Sequence, residues 1–144
     1  MSRAPVFESG GGGLASTVDD LLVFGQMMLH KGAHGRQRIL SRPAVELMTT
    51  DHITAEQKAA SPFFEDFWNE RGWGLGVSVV VSRRGDLASV PGRFGWDGAH
   101  GTSWYVDPKE DLIGVFMTQR SPDVLAIPGF ILDFWNSAYQ LIED

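Results

Sequence analysis

The run Leu112-Ile113-Gly114-Val115-Phe116-Met117 is apolar throughout apart from its glycine. A strand turns successive side chains to opposite faces of its sheet, so a run of this kind has to be covered on both sides. It is also the last strand that the sequence predicts, and few strands are available to flank it. Left as an edge, it would invite pairing with another chain. Such a run is expected in the middle of a covered sheet, so something is missing beside it.

Helices are predicted at both ends of the chain. After Gly10 to Gly13, Ser16 and Thr17 each precede an acid by three residues (Asp19, Asp20), which marks a helix start. Val18, Leu21, Leu22, Gly25, Met28 and Leu29 follow helical spacing, while Val23, Phe24 and Met27 make the other face apolar, so this helix is expected to be largely buried. Lys31-Gly32 supplies its stop. A second short helix runs from Ser41 as cap, through Pro43, to Met48. Between Asp51 and Arg71 the periodicity is lost, and Pro62 with Phe63, Phe64, Phe67 and Trp68 predicts a long packed loop.

Alternation from Trp73 to Val81 reads as one strand. Arg83-Arg84-Gly85-Asp86 then turns the chain into a short partner strand near Leu87 to Val90. Further strands are expected through Gly92 to Thr102, over Thr102 to Val106 and over Leu112 to Thr118, with a tight connection at Asp107-Pro108-Lys109-Glu110. Ile127, Ile131, Phe134, Trp135, Ala138 and Leu141 define a closing amphipathic helix with Pro128 in its first turn. Helices, then antiparallel strands, then a helix make an α+β class: one domain over residues 1–144, an antiparallel sheet with flanking helices.

Composition narrows the function. A net charge of -6 excludes a nucleic-acid partner, because phosphate binding needs a basic face. No cysteine is present, so there is neither a disulfide framework nor thiolate chemistry. No apolar run reaches the length of a membrane span, and the first residues lack the apolar core of a signal peptide; a soluble protein is expected, cytoplasmic if Met1 is the true start. His30 and His34 are separated by a glycine that breaks any helix aligning them, so they read as exposed histidines rather than zinc ligands. Asp107, Glu110 and Asp111 read as a strand connection and not a calcium loop. No metal or cofactor is expected.

The densest signal is Gly92-Arg93-Phe94-Gly95-Trp96-Asp97-Gly98-Ala99-His100-Gly101-Thr102. Glycine at this density lets backbone approach a ligand or a second strand closely, at an entropic cost. Asp97, His100 and Ser103 are the residue types of a hydrolytic triad, but alternation along a strand sends His100 and Ser103 to opposite faces.

Four stretches taken together resemble one family. Ser9-Gly10-Gly11-Gly12-Gly13-Leu14-Ala15-Ser16-Thr17-Val18-Asp19-Asp20-Leu21 is similar to the glycine-rich lead into a helix in β-lactamase-related serine hydrolases, the group of class C β-lactamases, penicillin-binding peptidases and related carboxylesterases. Arg38-Ile39-Leu40-Ser41 with Val45-Glu46-Leu47-Met48-Thr49 resembles the next helical step, and Gly72-Trp73-Gly74-Leu75-Gly76-Val77 the strand after it. Gly95 to Thr102, with Val106-Asp107-Pro108 and Asp111-Leu112, resembles the third motif and the strands beyond it. The resemblance covers almost the whole chain.

It implies that Trp96, Asp97 and Gly98 stand where that family carries Lys-Thr-Gly or His-Thr-Gly, with Ala99 as an oxyanion-hole N–H donor and His100 beside it on the substrate wall. It also implies what is missing. The family's nucleophile is the serine of Ser-x-x-Lys, yet no serine here is followed three residues later by lysine; neither Tyr105 nor Tyr139 begins a Tyr-x-Asn motif. In the family both motifs and further strands precede the matching region. The chain is thus expected to be the C-terminal portion of a β-lactamase/transpeptidase-like fold, lacking the N-terminal strands and nucleophile helix, with no catalytic residue of its own.

A lysine and threonine suit a substrate carboxylate, whereas Trp96 offers an apolar face and Asp97 would repel one. The expected substrates are therefore neutral esters or amides. Two other readings remain: a non-catalytic ligand-binding or interaction module, self-associating as a homo-oligomer, or one half of a split enzyme that pairs with an N-terminal half through its exposed strand.

Overall fold

The computed structural model describes residues 6–7, 9–61, 63, 66–83, 85–121 and 128–143. Pro62, Phe64, Arg84 and Ile127, named above within expected elements, lie outside the described residues. Helix α1 spans Val18–Leu29, and Thr17 is its cap: the Thr17 Oγ1 accepts the Asp20 N–H at 3.1 Å. A two-residue hairpin follows, β1 (Ala33–His34) against β2 (Gln37–Arg38). Helix α2 spans Arg42–Met48, capped by the Ser41 hydroxyl on the Ala44 N–H. The expected loop holds two short helices, α3 (Ala55–Ala60) and α4 (Phe67–Glu70).

The main sheet is an antiparallel meander in the order β3 (Arg71–Trp73), β4 (Ser78–Val80), β5 (Phe94–Gly98), β6 (Thr102–Asp107), β7 (Leu112–Phe116). Helix α5 (Gly129–Gln140) closes the chain, with Pro128 at its N-cap. The class is α+β, as the element order predicted.

Two layers of side chains hold the sheet between helices. On one face Met27, Met28 and Val45 from α1 and α2 pack with Val79, Phe94, Trp104 and Val106. On the other, Tyr105 packs with Ile131 and Trp135 of α5. Strand β7 serves both layers, Ile113 and Val115 in the first and Phe116 in the second. Its two apolar faces are thereby explained. It is also the end of the strand order, so its outer side carries no ladder among the described residues.

Three expectations need correction. The alternating stretch 73–81 is a hairpin rather than one strand: Trp73 pairs with Ser78, and the Gly74 N–H donates to the Val77 carbonyl at 2.8 Å. Gly76 makes the reversal with φ 86°, a conformation that side chains with a Cβ rarely adopt. Leu87 to Val90 forms no strand, because its backbone bonds are local, Val90 N–H to Ala88 and Arg93 N–H to Val90. Helix α1 is only half covered. Val18, Val23 and Phe24 stay exposed, since the sheet meets one stripe of the helix around Gly25, Met27 and Met28.

At Gly114 the absence of a side chain lets α5 approach the sheet closely. A Cβ there would lie 2.2 Å from the Trp135 ring, whose indole is itself buried. Gly114→Ala should therefore overpack the α5 layer and destabilise the fold by roughly 1–3 kcal/mol, read as a fall in the midpoint of chemical denaturation.

Candidate functional site

The third-motif stretch lies on β5 and in the turn that follows it. Strand β5 pairs with β6 from Phe94↔Val106 to Gly98↔Thr102, and the Gly101 N–H closes the connecting turn on the Gly98 carbonyl at 3.0 Å. Ala99 and His100 stand exposed at the tip of that turn. The Ala99 N–H donates to no acceptor among the described residues.

Trp96 is half-buried in an aromatic wall. Its ring meets Trp73 edge-on at 4.7 Å and lies 6.0 Å from Phe63 and 6.2 Å from Phe67. Phe67 packs in turn on Trp68 at 4.8 Å. The segment without sequence periodicity thus folds its aromatics over the end of the motif strand. Edge-on pairs of this kind contribute about 0.5–1.5 kcal/mol each beyond area burial.

That segment is anchored by Asp51. Its carboxylate accepts the Ile53 and Trp73 N–H groups at 3.0 Å each and pairs with Lys58. Burial alone would raise the Asp51 pKa, but the Lys58 hydrogen bond and the two backbone donors outweigh it, and the carboxyl titrates below its ordinary range. A carboxyl lowered on folding stabilises the native state above its unfolded value and ceases to do so as pH falls through the folded one.

Asp97 looks the other way. One carboxylate oxygen accepts the Ser103 hydroxyl and the other accepts the Tyr105 hydroxyl at 2.7 Å. Ser103 lies directly across the ladder and Tyr105 diagonally from Asp97. The Tyr105 oxygen accepts from Arg71 at 2.6 Å, and the Ser103 oxygen accepts the Trp135 indole N–H at 2.8 Å. A continuous chain therefore runs from the β3–β4 hairpin, through the motif strand, to helix α5. Burial and the neighbouring Asp97 carboxylate push the Tyr105 phenol above its ordinary value, so it stays protonated and donates. Burial would lower Arg71, but the Tyr105 oxygen and Asp97 hold it above its usual value.

The expected residues thus divide. Trp96 reaches the aromatic wall, while Ala99 and His100 reach solvent at the turn. The Asp97 side chain, expected to meet and repel a substrate carboxylate, instead spends both oxygens on strand hydroxyls. His100 has no hydrogen-bonded link to Ser103, and Ser103 is 1% exposed, so the three triad-type residues form no relay. Sequence reasoning missed Tyr105 and Arg71. The hairpin register around Gly98 to Thr102 was the available signal, since it sets Ser103 and then Tyr105 beside Asp97. Elsewhere Asp107 accepts the Lys109 and Glu110 N–H groups and the Tyr139 hydroxyl, which makes it the turn cap expected of it.

Two outcomes test this geometry. Lowering pH below about 4, the unfolded carboxyl value, should reduce the stability of the wild type relative to Asp51→Asn, and the gap between their unfolding curves should narrow as the folded Asp51 carboxyl protonates. Asp97→Ala should leave two hydroxyls without their acceptor and cost roughly 1–3 kcal/mol in denaturant unfolding, whereas Tyr105→Phe should cost about 1 kcal/mol.

The comparisons with known proteins agree with this architecture. The sequence model of the Beta-lactamase family matches residues 1–131. Two Mycobacterium tuberculosis proteins, Protein Rv1367c of strain H37Rv and Uncharacterized protein MT1414 of strain CDC 1551, are each 44% identical to this chain over 127 residues; the match covers 83% of this chain and 31% of theirs. The structure of EstCE1, described as a hydrolase with promiscuous acyltransferase activity, superposes with a TM-score of 0.71 at 24% identity, over 95% of this chain and 33% of that one. At that identity it speaks for the fold. The chain spans about a third of the length of these relatives.

Proposed function

We propose, from the premise that this chain belongs to the β-lactamase family, that it is the C-terminal part of a serine hydrolase of esterase type. Its role is to supply the third-motif strand, with Trp96, Asp97 and Gly98 in the motif positions, and the Ala99 N–H as an oxyanion donor. The nucleophile and its base come from outside these 144 residues, since no Ser-x-x-Lys is present.

The observation that carries the reading is the uncharged indole of Trp96 at a motif position, followed within one turn by the free Ala99 N–H. An N–H placed where charge develops on an acyl oxygen contributes on the order of a hundredfold or more in rate. An indole in an aromatic wall offers a carboxylate no charge and offers an apolar acyl or aryl group a ring face. The preference for neutral esters or amides therefore rests on the missing cation at position 96. The Asp97 charge is turned inward and compensated by hydroxyl donors, so it takes no direct part in substrate choice.

A second reading draws on the outer side of β7, which carries no ladder among the described residues. In it the strand pairs with another chain, either a separate N-terminal half or a second copy, and the chain serves as an interaction module. Sedimentation of the isolated chain separates the two, because a stable dimer favours the module.

The hydrolase reading has its own test. A longer protein carrying this chain together with a Ser-x-x-Lys segment should cleave short-chain aryl esters faster than a chromogenic β-lactam. Trp96→Lys should raise relative activity on carboxylate-bearing substrates by about tenfold, the worth of one charge-assisted hydrogen bond. Faster β-lactam cleavage by the unmodified protein would sink the esterase assignment, and a fluorophosphonate adduct on the 144-residue chain alone would sink the external nucleophile.

A further inference from the structure

The turn that carries the Ala99 N–H is held from outside its own hairpin. Gly101 at its base is buried, whereas Ala99 and His100 at its tip are exposed and make no hydrogen bond of their own among the described residues. Within the turn the Gly101 N–H donates to the Gly98 carbonyl at 3.0 Å. The Gly101 carbonyl is taken by another element. The Thr118 hydroxyl donates to it at 3.0 Å, and the Thr118 oxygen in turn accepts the Arg120 N–H at 3.1 Å. The Arg120 carbonyl is a more distant acceptor for the same hydroxyl, at 3.4 Å.

This bond stands where the sheet's own ladder has stopped. Strands β6 and β7 pair from Asp107↔Leu112 to Ser103↔Phe116. Two residues further along that register Thr118 faces Gly101, and there a side chain supplies the donor. Glycine at 101 is what admits it: its φ is 78°, and a Cβ would collide with the Arg120 carbonyl and the Thr118 Oγ1. A threonine suits the position, because its branched Cβ restricts the side chain to few orientations. The hydroxyl therefore ties the chain leaving β7 to the turn.

An N–H stabilises an acyl oxyanion only when it points at it, and a displacement of about 1 Å can cost on the order of a hundredfold in rate. A two-residue tip with no hydrogen bonds of its own is aimed through its ends, Gly98 in the β5–β6 ladder and Gly101 under Thr118. We propose that Thr118 is a positioning residue for the oxyanion donor: its hydroxyl fixes the Gly101 end of the turn, and so the direction of the Ala99 N–H. The catalytic consequence rests on the hydrolase reading; the clamp on the turn does not.

Two measurements test it. On the full 144-residue chain, the backbone amide order parameter of Ala99 should be about 0.8 in the wild type and fall below about 0.6 in Thr118→Val, which keeps the shape and loses the hydroxyl. In a longer protein carrying this chain with a Ser-x-x-Lys segment, Thr118→Val should lower kcat on a short-chain aryl ester about tenfold and leave KM within about twofold. Thr118→Ser, which restores the donor, should recover most of that loss. A threonine that served only the fold would shift the unfolding midpoint without this split between kcat and KM. Should Thr118→Val fail to fold, the wild type decides: an Ala99 order parameter already below about 0.6 overturns the clamp. An unchanged kcat in Thr118→Val, or no recovery in Thr118→Ser, overturns the positioning role. An unmodified longer protein without esterase activity overturns the hydrolase reading and with it the catalytic consequence, while the order parameters still decide the clamp.

Discussion

The Asp97 carboxylate is the constraint on which the helix side of the sheet depends. It sits between two antiparallel strands and accepts a hydroxyl from each of two residues on the facing strand, Ser103 and Tyr105. Each hydroxyl oxygen then accepts from a more distant element, the Trp135 indole on α5 and the Arg71 guanidinium on β3. A charged acceptor at the centre gives these bonds a fixed direction, with every donor pointing inward. Removing any outer member leaves one bond unmade, while removing the centre leaves the whole chain of donors without an end.

This spine explains how one strand meets two unlike demands. Alternation along β5 sends Asp97 to the α5 side and Trp96 to the aromatic wall. The strand is thereby held from behind by hydrogen bonds and lined in front by rings. Arg71 joins the two, since its guanidinium lies 5.9 Å from Phe67 of the wall and 5.5 Å from the Tyr105 ring of the spine.

Much of this was legible where the deciding interactions are local. Thr17 and Ser41 cap the helices that their spacing predicted, and Asp107 caps the connection that Asp-Pro announced, because each bond reaches only two or three residues along the chain. The stretch from Trp73 to Val81 misled for a definite reason. Glycines at 74 and 76 preserve the alternation of a strand while permitting the positive φ of a turn, and period-two patterning cannot distinguish the two. Leu87 to Val90 misled in another way: Ala88 and Val90 are buried as a strand's would be, but their backbone closes on itself. Tyr105 and Arg71 are 34 residues apart, and no local pattern announces that pairing.

Strand β7 brings the sequence and the structure to the same point from opposite directions. Its composition required cover on two faces, and α1 and α5 provide it. Ile113 enters one layer and Phe116 the other, while Gly114 admits the Trp135 ring between them. Covering the faces leaves the edge untouched, because the hydrogen-bonding direction lies in the plane of the sheet and helices stack above and below it. A strand whose faces are packed by helices and whose outer side carries no ladder among the described residues presents a row of main-chain donors and acceptors, which another strand satisfies most completely. The faces of β7 are thus met by this chain's own helices, while its outer edge carries no ladder among the described residues.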